Sequence, residues 1–338
     1  MEKMSQDIII SSHGDGGLLT HQLMREIFIP FLDNEWLQEQ GDAALLNLNG
    51  QKLAMSTDSF VVSPLFFKGG DIGKLAVCGT VNDLVVSGAS PLWISAAFIL
   101  PAGMNKSELK RVVQSMHTTA NSLNLPVVTG DTKVVDSGDR NNLFINTTGI
   151  GLVQTDARFN TKYIQPGDVI IASGSMGDHG AAILAERLEF KGDNTPTSDC
   201  APLTALFDKL KPFYADIRVM RDPTRGGLAT TLIELAAAGN VDLFLEEGEI
   251  YIKPEVSAIA DILGVDPYYL ASEGRALIIV SASEANDIVK TLKTVPGAED
   301  SSIIGSVRKV GGSVYLRTRL GGTRRLKMLS GKPLPRIC

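Results

Sequence analysis

Hydrophobic residues recur along the chain with two periods, one of two residues and one of three to four, which predict strands and helices respectively. In the first half, apolar segments predict four strands, at 52–62, 92–100, 126–129 and 143–153. Apolar positions at helical spacing predict two helices, at 71–87 and 105–123. Asp71 and Asn105 are suited to cap these helices, and Glu108 would complete a capping box with Asn105.

A polar stretch at 154–167 separates this series from a second one. The second half predicts strands at 168–173, 242–246 and 275–282 and helices at 177–190, 256–263 and 284–293, with one more helix starting at 225–227. The segment 303–319 predicts a hairpin that turns at Gly311-Gly312. This alternation is typical of an α/β (α+β) protein. It predicts two α/β domains, 1–154 and 155–326, followed by a tail, 327–338.

Composition narrows the class of protein further. The 338 residues carry a net charge of −6, whereas proteins that bind nucleic acid usually have a basic surplus, so we expect no nucleic-acid partner. No segment approaches the 18 or more apolar residues of a membrane span, and the first residues lack an export signal. Three cysteines are too few for a disulfide scaffold. We therefore expect a cytoplasmic protein without a membrane partner.

Several carboxylates stand where packing would favour apolar side chains. They are Asp42, Asp58, Asp83 and Asp131. Asp58 interrupts a predicted strand, Asp131 ends another, and Asp83 falls on the inward stripe of a predicted helix. Each aspartate alone could instead cap a helix or a turn. Because converging buried carboxylates repel one another unless a cation lies between them, together they predict a Mg²⁺ site.

Segments rich in glycine are candidates for binding phosphate. The segment 222–227, Asp-Pro-Thr-Arg-Gly-Gly, would place a guanidinium and free amide groups at the start of a helix, although it could be a simple helix cap. The segment 12–17, which contains His13 and Gly14, could wrap a phosphate or be an ordinary turn. The segment 173–180 is explained equally well as a tight structural turn. The segment 68–75 resembles a P-loop but lacks its first glycine and its Ser or Thr.

The end of the chain predicts an extended arm. Two prolines at 333 and 335 exclude a helix and favour the polyproline II conformation. The arm carries the thiol of Cys338, and soluble proteins generally avoid exposed free thiols, so we interpret Cys338 as functional rather than a harmless terminal residue. Cys78 and Cys200 are interpreted as structural.

These motifs together resemble one family. They are Ser-Thr-Asp-Ser at 56–59, the segment 69–88 with Asn82-Asp83, Gly-Asp-Thr-Lys at 130–133, the segment 222–227 and Pro-Arg-Ile-Cys at 335–338. The chain resembles, over essentially its whole length, the HypE family of hydrogenase maturation factors. The internal motifs alone indicate only the wider superfamily of aminoimidazole ribonucleotide (AIR) synthetase, selenophosphate synthetase and thiamine-monophosphate kinase. The terminal motif separates HypE from these relatives.

The resemblance implies a two-domain AIR synthetase-like fold with an extended C-terminal tail. Strands of the first domain would pair with those of a second copy in a homodimer, and ATP would bind in a cleft of that core. The implied activity is that of a carbamoyl dehydratase. A partner carbamoyltransferase would load Cys338, ATP-dependent dehydration would give a thiocyanate, and the cyano group would pass to iron on a scaffold–chaperone complex. This would supply the cyanide ligands of [NiFe]-hydrogenase.

The resemblance also assigns roles to residues. The four aspartates would hold Mg²⁺ against the ATP phosphates, Lys133 would neutralise the transferred phosphoryl group, and Glu273 would remove protons from the carbamoyl nitrogen. Glu273 could instead be an ordinary loop carboxylate paired with Arg275. The residues expected to bind ATP and its phosphates are His13, Gly14, Gly130, Thr132, Asp222, Thr224, Arg225 and Gly226.

Two alternatives stay open at this point. One is a small-molecule kinase or synthetase of the same superfamily, although no cysteine precedes Cys78 as selenophosphate synthetases would require, and a thiamine-phosphate kinase would not use the terminal thiol. The other is a metallochaperone that binds metal through Cys338. A single thiol and four scattered histidines make a poor soft-metal site.

Overall fold

Two β-sheets, one from each half of the chain, organise the molecule. The computed structural model describes residues 8–32, 34–39, 41–136, 143–154, 157, 159–190, 192 and 194–329. The predicted tail 327–338 therefore lies mostly outside the described residues, and so does Cys338. The proposed boundaries at 154/155 and 326/327 stay predictions.

The N-terminal segment is helical before the first sheet begins. Its helices are α1 (Leu18–Leu23), α2 (Ile29–Leu32) and α3 (Glu35–Gln38), with a π-helical turn at Met24–Phe28 between the first two. The sequence analysis did not predict these helices. Many of their large apolar side chains, Phe31 and Trp36 among them, are exposed, so the usual signal of a buried apolar stripe is weak here.

The first half forms a five-stranded sheet in the order β1-β2-β7-β5-β6. Its strands are β1 (Ala44–Leu48), β2 (Gln51–Phe60), β5 (Ala89–Pro101), β6 (Val127–Val135) and β7 (Phe144–Val153), and a separate two-stranded ribbon is made of β3 (Phe66–Phe67) and β4 (Gly70–Asp71). Every neighbouring pair in the sheet is antiparallel except β5 and β6. The four predicted strands are thus confirmed in position.

Strand β6 differs from its prediction in length. It pairs in parallel with β5 as far as Val135, beyond the predicted end at 129. The prediction that Asp131 ends a strand is therefore wrong, since Gly130 to Lys133 lie within β6. Gly130 is required by this pairing, because a Cβ there would overlap the carbonyl oxygen of Ala96 on β5.

Two helices cover one face of this sheet. Helix α4 (Ile72–Val86) is buried almost all round, and Asp71 caps it by accepting hydrogen bonds from the backbone amides of Gly73 and Lys74. Helix α5 (Lys106–Ser122) packs on α4 through an apolar stripe that includes Val112. The capping box predicted for α5 is not formed, since the side chain of Asn105 makes no capping hydrogen bond.

The second half forms a seven-stranded sheet in the order β14-β13-β10-β12-β8-β11-β9. Its strands are β8 (Val169–Ala172), β9 (Ile217–Arg221), β10 (Val241–Glu246), β11 (Leu277–Val280), β12 (Ser302–Val310), β13 (Val314–Arg317) and β14 (Thr323–Leu326). Its helices are α6 (Asp178–Arg187), α7 (Thr204–Lys209), α8 (Gly227–Gly239), α9 (Pro254–Leu263) and α10 (Ala285–Leu292). Strands β9 and β14 and helix α7 were not predicted. Apart from the hairpin at 303–319, the strands and helices that were predicted for this half are confirmed in position.

The hairpin predicted for 303–319 is wrong. Strands β12 and β13 both pair with β10, which lies between them. The turn is held there by Asp242 at the start of β10, whose carboxylate accepts hydrogen bonds from the backbone amides of Gly312 and Ser313, both 3.0 Å away. The glycine pair therefore predicted the turn correctly, but it did not predict that β10 lies between the two strands that the turn connects.

The largest hydrophobic core joins the two halves. It contains side chains of α4 and β2 together with those of α7, β8 and β11, so α4 lies between the halves. None of the helices in the described part of the chain has the length and hydropathy that a membrane crossing requires.

The contact between α4 and α5 gives a prediction for Gly73. Replacing glycine by alanine inside a helix normally stabilises it by about 1 kcal/mol. Here the new Cβ would overlap the carbonyl oxygen of Val112, so we expect Gly73→Ala to destabilise the protein by about 2 kcal/mol.

Chemical denaturation measures this effect. The control is Gln114→Ala on the exposed side of α5, which should change the free energy of unfolding by less than about 0.5 kcal/mol. A Gly73→Ala protein as stable as the wild type would contradict the close approach of the two helices.

Candidate functional site

Three carboxylates from distant parts of the chain meet beside the first sheet. Asp42 precedes β1, Asp83 lies on α4 and Asp222 follows β9. One carboxylate oxygen from each lies within 4.8 Å of the other two. Asp222 is buried, and Asp42 and Asp83 are partly buried. Asp222 had been assigned to phosphate binding, so the structure adds it to the predicted cation ligands.

Asp58 borders this cluster. It lies on β2 two residues after Ser56, on the same face of the strand. The hydroxyl of Ser56 donates a hydrogen bond to Asp83, 2.5 Å away. Burial raises the pKa of Asp58, while the nearby guanidinium of Arg225 opposes the increase. Of the four aspartates predicted to hold the cation, Asp42, Asp58 and Asp83 therefore lie close together, and the charges of Asp58 and Asp42 act on Asp83.

Burial and mutual repulsion hold protons on this cluster. Burial, followed by the charge of Asp42, raises the pKa of Asp222 to about 8. Burial also raises the pKa of Asp42 to about 6, although the charge of Arg221 opposes it. The pKa of Asp83 is raised well above its ordinary value by burial and by the other carboxylates. At neutral pH the cluster therefore retains protons that a cation would displace.

The donor atoms suit Mg²⁺. All of them are carboxylate oxygens, the ligand class that Mg²⁺ prefers. The Oδ2 atom of Asp222 is buried and has no hydrogen-bond partner, which is costly unless a ligand occupies the position. A hard divalent cation would satisfy this oxygen and remove the repulsion.

A charged network supports the cluster from one side. Arg221, the last residue of β9, contacts Asp42 at 3.0 Å and Glu234 at 3.4 Å. His21 on α1 completes it through Nε2, 3.1 Å from Glu234, and this contact raises the pKa of His21. His21, Arg221 and Glu234 were not among the site residues predicted from the sequence. The short apolar alternation of Ile217 and Val219 was the available signal for β9.

Two of the predicted phosphate-binding segments meet next to the cluster. The Nη1 atom of Arg225 donates to the carbonyl oxygen of Gly14 at 3.3 Å. Thr224 forms the turn, since its amide donates to the carbonyl of Asp222. Gly226 adopts a φ of 74° immediately before α8, where a side chain would be strained. The ring of His13 hydrogen-bonds with the backbone of Ile10.

The residues predicted on β6 lie elsewhere on the surface. Asp131 forms an ion pair with Lys133 at 2.9 Å, and both side chains are more than half exposed. Lys133 lowers the pKa of Asp131. Among the described residues, Asp131 does not join the carboxylates that lie within 4.8 Å of one another. The roles of Gly130, Asp131, Thr132 and Lys133 therefore stay predictions.

Glu273 is buried in the loop before β11, and only 2% of it is exposed. Its Oε1 atom has no hydrogen-bond partner. Burial, followed by the charges of Asp222 and Asp199, raises its pKa well above the ordinary value. The alternative pairing with Arg275 is not observed, because Arg275 instead forms ion pairs with Asp178 and Asp199. Glu273 is thus a buried carboxyl with a raised pKa, close enough to the carboxylate cluster for the charge of Asp222 to act on it.

The two described cysteines are consistent with structural roles. Cys78 on α4 and Cys200 are free and buried. A hydrogen bond with Cys78, together with burial, raises the pKa of Cys200 well above its ordinary value. The thiol of Cys200 is therefore a poor nucleophile, and the thiol of Cys78 is buried away from solvent. The reactive cysteine of the sequence analysis, Cys338, lies outside the described residues.

The fold and its site define a class of protein. The family model described as AIR synthase related protein, N-terminal domain, matches residues 40–153, and the corresponding C-terminal domain model matches residues 165–317. The molecule thus has the architecture of the AIR synthase related proteins, as the sequence analysis predicted.

Comparison with similar proteins identifies one family within the AIR synthase related proteins. "Carbamoyl dehydratase HypE" of Cupriavidus necator is 43% identical over 328 residues, which cover 96% of this chain and 93% of the relative. The crystal structure of a HypE–HypF complex matches with a TM-score of 0.86 at 40% identity, covering 91% of this chain and 99% of that one. A crystal structure of HypE in complex with ATP matches with a TM-score of 0.82 at 43% identity, covering 98% and 100%. The chain belongs to the HypE family of hydrogenase maturation proteins.

The protons held by the carboxylate cluster predict how stability depends on pH. A carboxyl group whose pKa is raised on folding binds more protons when folded, so its contribution to stability is lost as pH rises between the unfolded and folded values. For Asp222 this window runs from about 4 to about 8. Without divalent cations, we expect Asp222→Asn to unfold at least about 4 °C above the wild type at pH 8 and close to it at pH 4.

Thermal unfolding with and without MgCl₂ at matched ionic strength measures this difference. Mg²⁺ should stabilise the wild type more at pH 8 than at pH 6, and should stabilise Asp222→Asn much less. The same pH dependence in both proteins, with or without Mg²⁺, would contradict a cation site at Asp222.

Proposed function

We propose that the protein catalyses the ATP-dependent dehydration of an S-carbamoyl group on Cys338 to an S-cyano group, which supplies cyanide ligands for [NiFe]-hydrogenase maturation. The observation that carries this proposal is that the carboxyl of Glu273 lies close to the carboxylate cluster that contains Asp222. Glu273 is a buried carboxyl with a free oxygen, and its pKa is raised by burial and then by the charge of Asp222 in the candidate cation site. A proton acceptor and a phosphate-binding cation site are the two functions that the dehydration requires.

The reaction needs ATP because an amide oxygen is a poor leaving group. The carbamoyl oxygen would attack the γ-phosphorus of ATP, releasing ADP and leaving a phosphorylated imidate after one nitrogen proton is lost. Removal of the second nitrogen proton then expels inorganic phosphate and forms the carbon–nitrogen triple bond. Glu273 is the candidate acceptor for these protons.

The cation site and the nearby arginine would bind the triphosphate. Mg²⁺ held by Asp42, Asp58, Asp83 and Asp222 would neutralise phosphate charge when bound. The guanidinium of Arg225 and the backbone amides at the start of α8 would bind phosphate oxygens. Neutralising Asp222 would also lower the pKa of Glu273 toward the range in which a carboxylate acts as a base at neutral pH.

The first residues of the tail, 327–329, are described in the structure and support access of the tail to this site. The hydroxyl of Tyr269 lies 2.7 Å from the carbonyl oxygen of Lys327. The carbonyl oxygen of Leu329 accepts a hydrogen bond from the amide of Leu18 at 3.3 Å. The tail therefore starts next to the N-terminal segment that contacts Arg225. Residues 330–338 lie outside the described residues. The prolines at 333 and 335 favour the polyproline II conformation, in which nine residues span about 28 Å, and such a length would let Cys338 reach several positions.

We also propose a homodimer formed through the first sheet. Strand β6 is an edge strand that is exposed along its length, and large apolar side chains are exposed there and on β5, among them Trp93, Ile99, Val128 and Val134. Exposed apolar edge strands are usually covered. A second copy on this face would bury Asp131 and Lys133 at the interface, where their predicted roles in binding Mg²⁺ and the phosphoryl group could be filled.

Two further partners belong to this proposal. A carbamoyltransferase would load Cys338, which agrees with a HypE structure solved together with HypF. An iron scaffold–chaperone complex would accept the cyano group. We propose a cytoplasmic location, where these partners and ATP would meet.

Intact-mass spectrometry of the C-terminal peptide tests the carrier role of Cys338. With the carbamoyl donor system, the wild-type peptide should gain one carbamoyl group, and with Mg²⁺ and ATP it should then lose one water. Cys338→Ala should show neither change, because the acceptor sulfur is absent.

Cys78→Ala serves as the control. The C-terminal peptide of this variant should still be carbamoylated, because Cys338 is intact and the replaced Cys78 is buried. Carbamoylation followed by loss of water elsewhere in Cys338→Ala would refute the carrier role. ATP turnover that depends on an added small-molecule acceptor, and not on Cys338, would favour the kinase alternative.

Glu273→Gln tests the proposed base. Glutamine preserves the shape of the side chain but cannot accept a proton, so the dehydration rate of the carbamoylated protein should fall by about 10²- to 10⁴-fold. Carbamoylation of Cys338 should be unaffected, because it precedes the step that needs the base. A dehydration rate within threefold of the wild type would refute the role of Glu273.

A further inference from the structure

Asn82 is a fully buried amide that connects the two halves of the molecule. It lies on α4, and its surface is 0% exposed. Its Nδ2 atom donates to the carbonyl oxygens of Ala201 at 3.1 Å and Glu273 at 3.2 Å. Its Oδ1 atom accepts a hydrogen bond from the amide of Leu203 at 2.8 Å. Both amide hydrogens and the amide oxygen of Asn82 therefore form hydrogen bonds with segments of the second half.

These hydrogen bonds fix the backbone of Glu273 from one side. The carbonyl oxygen of Glu273 also receives a weaker hydrogen bond, 3.4 Å long, from the amide of Ala201. On the other side, the amide of Glu273 donates to Asp199 at 3.1 Å. Asn82 is the part of this arrangement that comes from the first half of the chain, so it ties the loop of Glu273 to α4.

The position of Asn82 in the sequence makes this contact chemically relevant. The next residue is Asp83, which is one of the three clustered carboxylates. Consecutive Cα atoms lie about 3.8 Å apart and are held rigidly in a helix. One turn of α4 therefore carries both the residue that holds Glu273 and a residue of the candidate cation site.

We propose that Asn82 is a positioning residue that sets the place of Glu273 relative to the carboxylate cluster. This inference rests on the proposed role of Glu273 as the base. Proton transfer requires donor and acceptor within hydrogen-bond reach, and a displacement of about 1 Å can cost about 10²-fold in rate. The hydrogen bonds of Asn82 go to 201–203 and Glu273. The link between this loop and the segment 222–227, a hydrogen bond from the amide of Ser272 to the carbonyl oxygen of Pro223 at 2.9 Å, does not involve the Asn82 side chain, so we expect ATP affinity to change little when that side chain is replaced.

The predicted consequence is a separation of rate from affinity. In Asn82→Ala the dehydration rate, measured in a single turnover of the carbamoylated protein, should fall by about 10- to 100-fold. The dissociation constant of a non-hydrolysable ATP analogue with Mg²⁺, measured by calorimetry, should stay within about twofold of the wild-type value. Asn82→Leu keeps the number and branching of the side-chain heavy atoms but not the hydrogen bonds, and should show the same separation.

Thr80→Val is the matched control. Thr80 is also buried on α4, and its hydroxyl hydrogen-bonds with Thr147 in the first sheet instead of with Glu273. This variant should be less stable, yet keep its dehydration rate and ATP affinity within about twofold. All variants are assayed well below their unfolding temperatures, so that rate and affinity refer to folded protein.

The outcomes separate this inference from the proposed function. A wild-type dehydration rate in both Asn82 variants, or an equal loss of rate and ATP affinity, would overturn the positioning role even if Glu273→Gln is inactive. A fully active Glu273→Gln protein would instead overturn the proposed base, whatever the Asn82 variants do.

Discussion

The main physical constraint on this structure is the free-energy cost of burying several carboxylates close to one another. Asp42, Asp83 and Asp222 approach within 4.8 Å, and burial with mutual repulsion raises their pKa values. Such an arrangement is unfavourable in the absence of a ligand, and the proposed divalent cation with its bound phosphate would make it favourable. Cation binding would relieve this repulsion, so the free energy that destabilises the unliganded protein would favour binding. Because binding would release protons from the carboxyl groups, affinity would depend on pH.

Helix α4 determines where the carboxylate cluster lies relative to the loop of Glu273. It lies between the two halves of the chain and is buried almost all round. Its residue Asp83 contributes to the carboxylate cluster, and the preceding Asn82 holds the loop of Glu273. A helix that is buried on every side cannot shift without disturbing both cores, so it is a suitable reference for groups that must keep a fixed separation.

The sequence predicted most elements of this arrangement because their signals are local. The strand around Asp58, the cap at Asp71 and the glycine turn before α8 each follow from residues close together in the chain. The predictions failed where a distant segment decides the outcome. Strand β6 is longer than predicted because β5 pairs with it, and the hairpin at 303–319 is replaced by two strands on either side of β10.

The sequence by itself determined the family, the fold class and the set of acidic residues from which the site is built, because those features reside in residue types and short spacings. Only the tertiary structure decided which of them meet. It placed Asp222 with the carboxylates and left Asp131 on an exposed strand with Lys133. It also brought Arg221 to Asp42 and Asn82 to Glu273, since contacts between residues more than a hundred positions apart depend on packing, which no local pattern encodes.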